Sequence, residues 1–229
     1  MHKSKFLAVA MLGAVSTFAG AAPFLATPAL AQTETVEVKA PAGVYKLDPT
    51  HSALLWSLKH LNVSNYTGRF ANVQGTLNFD PANISASSIE VTIDPKSVQT
   101  AYPADYKATH ARTGFESWNE DISRNQNFLN SDKFPEITFK STKVEQTGPR
   151  TAKITGDLTL LGVSKSVTLD ASFNGELDSH PFLGVPVLGF AAEGKFDRTE
   201  FGQKASGALG NEITVRFDGE FIQQKPEAQ

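Results

Sequence analysis

An all-β domain that closes into a lipocalin-like antiparallel barrel of about eight strands, with a short helical insertion, is the fold this sequence predicts. Three observations carry that reading. Apolar residues recur at every second position through most of the chain. Clusters of Gly, Pro, Asn and Asp punctuate those runs. One polar stretch, residues 101–135, breaks the alternation.

The chain opens with a segment that reads as removable. Lys3 and Lys5 give a positive start, and the run from Phe6 to Ala22 carries no charge. Pro23 and Pro28 then interrupt any helix, and Ala29-Leu30-Ala31 offers an A-x-A site. Positive start, apolar middle and small-residue end describe a secretory signal peptide cleaved after Ala31. No later stretch is apolar enough to span a bilayer, so no permanent membrane anchor is expected. Residues 32–43 are polar, with Pro41 and Gly43, and read as a flexible leader with an edge strand at 35–39.

The domain is expected over residues 44–222, followed by a short tail at 223–229. Leu54, Trp56 and Leu58 share one strand face, as do Val73, Gly75, Leu77 and Phe79. Ile89, Val91 and Ile93 follow, then Ile137 and Phe139, then Ile154, Leu158 and Leu160. Val167, Leu169, Ala171 and Phe173 make the sixth run, and residues 190–198 and 212–222 complete eight. Within the insertion, 105–112 and 121–129 are the segments expected to be helical. Closure removes the exposed edges of eight antiparallel strands. A barrel of that size is filled by side chains or holds one small ligand. Gly68, Gly75, Gly156, Ala171 and Gly194 lie inside strand-like runs and favour the second outcome. A two-sheet sandwich has the same periodicity.

Composition excludes several functions. The chain has no cysteine, and its two methionines, Met1 and Met11, lie in the signal. The mature chain therefore has no thiol catalysis, no disulfide and no soft-metal site. Without Lys3 and Lys5 it carries 19 basic residues against 24 acidic ones, which gives no support to nucleic-acid binding. No P-loop, dinucleotide fingerprint or nucleophile elbow occurs, so no cofactor and no catalytic residue are assigned.

The polar residues have structural readings beside functional ones. His51 and His60 are nine apart, which on a regular strand puts them on opposite faces and rules out a strand-borne metal pair. Asp48-Pro49-Thr50 reads as an Asx-type turn. Asp197, Arg198 and Glu200 read as an ion-paired strand end, with Arg198 as a head-group contact if it turns inward. Trp56, Leu58, Phe70, Leu77, Phe79, Phe139, Leu158 and Phe173 are the expected lining of an apolar channel, with His60 and Arg198 as its polar contacts. The apolar stretch 180–190 reads as a loop folded on the barrel end, with a mobile lid as the alternative.

Four blocks carry a resemblance. They are YKLDPTHSALLWSLKHLNVSNYTGRF (45–70), NFLNSDKFPEITFKST (127–142), GDLTLLGVSKSVTLD (156–170) and FDRTEFG (196–202). In this order they resemble the YceI-like family of periplasmic polyisoprenoid-binding proteins. Where members carry an Arg-Asp-x-His-Leu-like segment, this chain reads Trp118-Asn119-Glu120-Asp121-Ile122. The resemblance implies a lipocalin-like barrel with an elongated apolar interior. It further implies an isoprenoid or other long-chain lipid as ligand, and often a homodimer. The expected function is a periplasmic carrier of an isoprenoid chain, polyprenyl phosphate or quinone-like, and not an enzyme. A stress-linked structural or interaction module is the alternative, and an enzyme acting on a lipid comes after it.

Overall fold

The computed structural model describes residues 38–225. The signal segment, the first part of the leader and residues 226–229 lie outside the described residues, as does most of the edge strand expected at 35–39. Ten strand segments are present among the described residues: β1 Gly43–His60, β2 Ser64–Phe70, β3 Val73–Phe79, β4 Ser88–Ile93, β5 Val98–Gln99, β6 Ile137–Gly148, β7 Thr151–Leu160, β8 Val163–Leu177, β9 Val187–Asp197 and β10 Glu212–Gln223. Two short helices, α1 Tyr106–His110 and α2 Trp118–Arg124, occupy the insertion.

These ten segments make eight staves. β1 pairs with β3 through its first residues and with β2 through its last, so β2 and β3 form one interrupted stave. β4 pairs with β3 and β5 with β2, which makes them a second interrupted stave. Both interruptions fall at the same place. Pro95, which has no N–H for the ladder, opens a 3-10 turn over Pro95–Ser97. The Ala71 and Asn72 amides donate to the Ser97 carbonyl and Oγ, at 3.1 and 3.0 Å. On its other edge β1 pairs with β10, and this closes the ring as an antiparallel barrel.

The first strand is longer than its alternation predicts, and it changes phase. Tyr45 and Leu47 are buried on one side of the change, and Leu54, Trp56 and Leu58 point inward on the other. The odd-to-even switch is absorbed between Leu47 and Ser52, where the register against β10 shifts. The Asx turn expected at Asp48 sits there: the Thr50 amide donates to Asp48 Oδ1 at 2.8 Å.

Strand connections alternate between two ends of the barrel. At the first end, Tyr45, Leu47, Leu77, Phe79, Leu188 and Phe221 form an apolar plug. Two expectations are corrected here. The leader does not run free to residue 43: Ala40 is buried in the plug, and the amides of Lys39 and Ala40 each donate to the Glu176 carboxylate at 2.8 Å. The 180–190 stretch is split. Its second half enters β9, and Val185, Val187 and Leu188 are buried, while Phe182 stays 90% exposed. Only the second half packs on the plugged end as the loop reading expects; the tip at 181–184 is exposed.

The other end carries the β1–β2 turn, the β7–β8 turn, the helical insertion and the segment between β9 and β10. Leu161 and Gly162, both at positive φ, make the two-residue β7–β8 turn. Of the two expected helices, the first is in place, capped by Asp105, whose side chain accepts from the Lys107 amide. The second starts earlier and stops sooner than expected. Ser117 caps it by accepting from the Glu120 amide, and the chain leaves the helix at Asn125, so 125–129 are not helical. The S-x-x-E pattern of Ser117 and Glu120 is a helix-start signal that the apolar pattern alone misses. Among the described residues no helix is long and apolar enough to cross a membrane.

Candidate functional site

Inside the barrel lies a cavity of about 830 Å³. Ligand pockets usually measure about 300–1,000 Å³, so this one is large for the class. Leu47 and Leu58 both line it from the same strand. At about 3.3 Å per residue those positions are roughly 35 Å apart along β1, and closer along the tilted barrel axis. The shape is therefore that of a long channel. Many lining side chains, such as Leu54, Leu58, Val91, Ile154 and Leu169, are only half-buried although they point inward, because they face this cavity.

Glycines set the width of the wall. Trp56 pairs with Gly68 across β1 and β2. A Cβ on Gly68 would lie 2.4 Å from Trp56 Cζ2, so the bare backbone is the seat of the indole. Gly156 does the same for Phe139, whose Cζ would be 2.6 Å from an added Cβ. These glycines let large side chains lie against the wall, which keeps the channel open.

Six of the eight residues expected to line the channel do so: Trp56, Leu58, Phe70, Leu77, Phe139 and Leu158. Phe79 and Phe173 do not, and that expectation is corrected. They pack against Phe190, at ring distances of 6.3 and 5.4 Å, in and beside the plug. Alternation gives the inward face of a strand but not the height at which side chains from opposite staves meet. His60 and Arg198 also line the cavity.

Arg198 has a different part from the one expected. It is buried, and its Nε, Nη1 and Nη2 donate to the carbonyls of Gly210, Lys204 and Leu209 at 2.9, 2.8 and 3.1 Å. A fourth, longer bond reaches Gln203 at 3.5 Å. The guanidinium is spent on holding the 203–210 loop, and burial lowers its pKa against the pull of Asp197. Gln203 in turn donates to the Phe128 carbonyl at 3.0 Å, which ties this loop to the insertion across the channel mouth.

The mouth is the part that sequence reasoning missed. Ser64, Tyr102, Thr113 and Ser206 are the exposed members of the lining, and all lie at the insertion end. Below them, aromatic residues from four segments meet. Tyr66 stacks on Tyr102 at 4.3 Å and on Trp56 at 6.0 Å. Trp118 stands edge-on to Tyr106 at 4.8 Å and to His110 at 4.3 Å. Asp121 is buried beside them, accepting from Tyr106 Oη at 2.8 Å and from Asn125 Nδ2 at 2.7 Å. Burial drives the Tyr66 phenol up to about 12; Thr100 pulls the other way, and neighbouring Tyr102, Asp121 and Tyr106 add to the rise. The approach of Thr100 falls short of hydrogen-bond geometry, so Tyr66 Oη has no partner.

On the outer face, His51 Nδ1 lies 2.7 Å from Asp48 Oδ2 and 3.9 Å from Glu220 Oε2. His51 is exposed and His60 faces the channel, on opposite faces as their spacing requires. The hydrogen bond to Asp48 raises the His51 pKa. Burial would raise the Asp48 carboxyl, but hydrogen bonds from Thr50 and His51 outweigh it and hold the group below its ordinary value.

The family model described as the YceI-like domain matches residues 45–221. Protein YceI of Shigella flexneri is 36% identical over 187 residues, which cover 80% of this chain and 89% of that protein. A crystal structure of the Campylobacter jejuni YceI protein is 29% identical, with a TM-score of 0.59 over 73% of this chain and 90% of that one. A polyisoprenoid-binding domain from Saccharophagus degradans shares the fold at 14% identity and a TM-score of 0.51, over 80% of this chain and 100% of that domain.

Proposed function

Since the chain belongs to the YceI-like domain family, we propose that it is a periplasmic carrier that holds the apolar tail of an isoprenoid or similar long-chain lipid inside its barrel. The single observation that carries this reading is the channel: long, narrow and lined almost throughout by Leu, Ile, Val and aromatic side chains. Binding a lipid in the barrel is supported by the family and by the polyisoprenoid-binding domain that shares its fold. Export is supported by the Lys3 and Lys5 start, the uncharged run to Ala22 and the A-x-A site ending at Ala31.

The energetics are sufficient without a reactive group. Each methylene withdrawn from water contributes about 0.8 kcal/mol, so ten give roughly 8 kcal/mol before the costs of association. An apolar tail has no directional requirement, and the channel offers none along most of its length. Retention and release are what such a wall provides.

Native mass spectrometry of the mature chain, purified without detergent from its own periplasm, tests the proposal. The expected result is a bound species heavier than the polypeptide by one lipid, released on collisional activation. A chain that arrives bare and takes up no added isoprenoid would overturn it.

A further inference from the structure

The irregularity in β1 is larger than its phase change requires. Leu47 faces Phe221 and Ser52 faces Gly219, so five steps along β1 answer two along β10, and three residues are extra. A single extra residue already exchanges the two faces of a strand. The surplus makes a protrusion, residues 48–51, opposite the one residue Glu220. We propose that Asp48, His51 and Glu220 form a binding site for one divalent transition-metal ion of the zinc class on the outer wall of the barrel. The inference does not depend on the lipid-binding reading.

The geometry is close to that of a three-ligand site. Asp48 Oδ2, His51 Nδ1 and a Glu220 carboxylate oxygen all lie within 4.8 Å of one another. Nδ1 is 2.7 Å from Asp48 Oδ2 and 3.9 Å from Glu220 Oε2. Zinc bonds of about 2.0–2.2 Å set neighbouring ligands roughly 3.3 Å apart, so the first gap opens and the second closes by about 0.6 Å each. His51 and Glu220 make that adjustment easily, because their side chains are 59% and 44% exposed. Asp48 is the fixed member. Its side chain is 9% exposed, and the Thr50 amide and hydroxyl both donate to Oδ1, at 2.8 and 2.7 Å. That leaves Oδ2 aimed at the imidazole, and outer contacts of this kind orient a ligating carboxylate.

Charge favours a cation here. Among the described residues His51 is the one basic side chain that meets either carboxylate, with no lysine or arginine in an ion pair to them. Asp218, two residues before Glu220 and exposed on the same face of β10, adds negative charge. Ionised carboxylates only accept, so in the metal-free protein Nδ1 carries the hydrogen between them. A metal ion takes the place of that hydrogen, binds the nitrogen lone pair and offsets two negative charges. One imidazole and two carboxylates, without sulfur, suit Zn²⁺, Ni²⁺ or Cu²⁺, whereas Ca²⁺ and Mg²⁺ take oxygen ligands. Three protein ligands leave a position for water, as in an exchangeable site and not a closed structural one. The ligands come from β1 and β10, the pair that closes the barrel, so a bound ion staples that seam.

Calorimetric titration of the full mature chain, untagged and stripped with a chelator, tests this with Zn²⁺ as the probe. One ion is expected per chain, with a Tm that rises as zinc is added. His51→Gln and Glu220→Gln should each weaken zinc binding at least about 10-fold. Glu220 is half-exposed, so its variant keeps the fold, which circular dichroism of the metal-free protein checks. His180→Gln, a histidine outside the cluster, should leave the affinity unchanged. Cu²⁺ should bind more tightly than Zn²⁺, and Mg²⁺ should give no heat. A chain that takes up no zinc, or an affinity that neither His51→Gln nor Glu220→Gln lowers, overturns the site. Mg²⁺ binding as tightly as Zn²⁺ overturns its assignment to a transition metal.

Discussion

Replacing Gly68 by alanine should destabilise the barrel, contrary to the usual benefit of removing a glycine from a strand. The new Cβ would sit 2.4 Å from Trp56 Cζ2, against an ordinary contact of 3.4 Å or more, so the indole must retreat by about 1 Å. Nor can the wall give way easily, because the new Cβ would also lie 2.9 Å from the Gln99 carbonyl, a backbone atom. Overpacking of this kind costs about 1–3 kcal/mol. The entropy gain of Gly→Ala offsets about 0.5–1 kcal/mol. A net loss of about 1.5 kcal/mol is expected, or roughly 3–6 °C in Tm for a domain of this size. Thermal unfolding followed by circular dichroism measures it. In the Trp56→Phe background the outer ring of the indole is gone, and the same substitution should cost less than half as much. A Gly68→Ala protein that melts higher, or one whose loss is the same in both backgrounds, would refute the idea that Gly68 seats the indole.

Other consequences follow from the same geometry. Ala171→Phe places a ring in the channel near the plug and should shift preference to shorter tails, each excluded methylene weakening binding about fourfold; a series of isoprenoid alcohols of graded length reads the shift, and an unchanged preference would contradict the channel direction. Arg198→Met leaves three part-buried carbonyls without their donors and should cost about 2 kcal/mol in urea unfolding, with faster proteolytic cleavage within 203–210; an unchanged midpoint would show that the loop holds itself. The His51–Asp48 bond raises the His51 pKa, so its stabilisation is complete below about pH 6.5 and is lost as pH rises through the higher folded value. Asp48 runs in the opposite sense: its folded pKa is lowered, and its contribution is lost as pH falls through that value. The Tm difference between the natural protein and His51→Gln should therefore be larger near about pH 5.5 than near about pH 8.5, and a difference that grows with pH would be inconsistent with the bond.

The barrel was legible from the sequence because its information is local. A residue such as Leu158 or Val167 declares its face by its immediate neighbours, and eight such runs fix eight staves. The phase change in β1 is legible only in part: Asp48-Pro49 announces a turn, but nothing nearby says that the strand resumes with its faces exchanged. Phe79 and Phe173 have the right parity for the channel and fall in the plug region, because height along the axis depends on how distant strands are staggered. The mouth was least legible of all. Tyr66, Tyr102, Tyr106 and Trp118 come from segments separated by stretches without periodicity, and their meeting is a tertiary event. One signal was available: both tryptophans of the chain, Trp56 and Trp118, fall in segments otherwise dominated by polar or alternating residues, and a tryptophan in an irregular insertion seldom stands alone.

The barrel's alternating connections have a practical consequence. Ala40 enters through the plug, and Gln224 leaves beside it, its amide donating to the Val44 carbonyl at 2.8 Å. Both strands that lead out of the domain thus emerge at the end opposite the aromatic chamber. A fusion partner, an affinity handle or a surface linker attached at either side would point the mouth outward, into solution. The domain can be immobilised by its sealed base and remain open for traffic at the top, an orientation suited to a sensor surface or an array built to capture lipids.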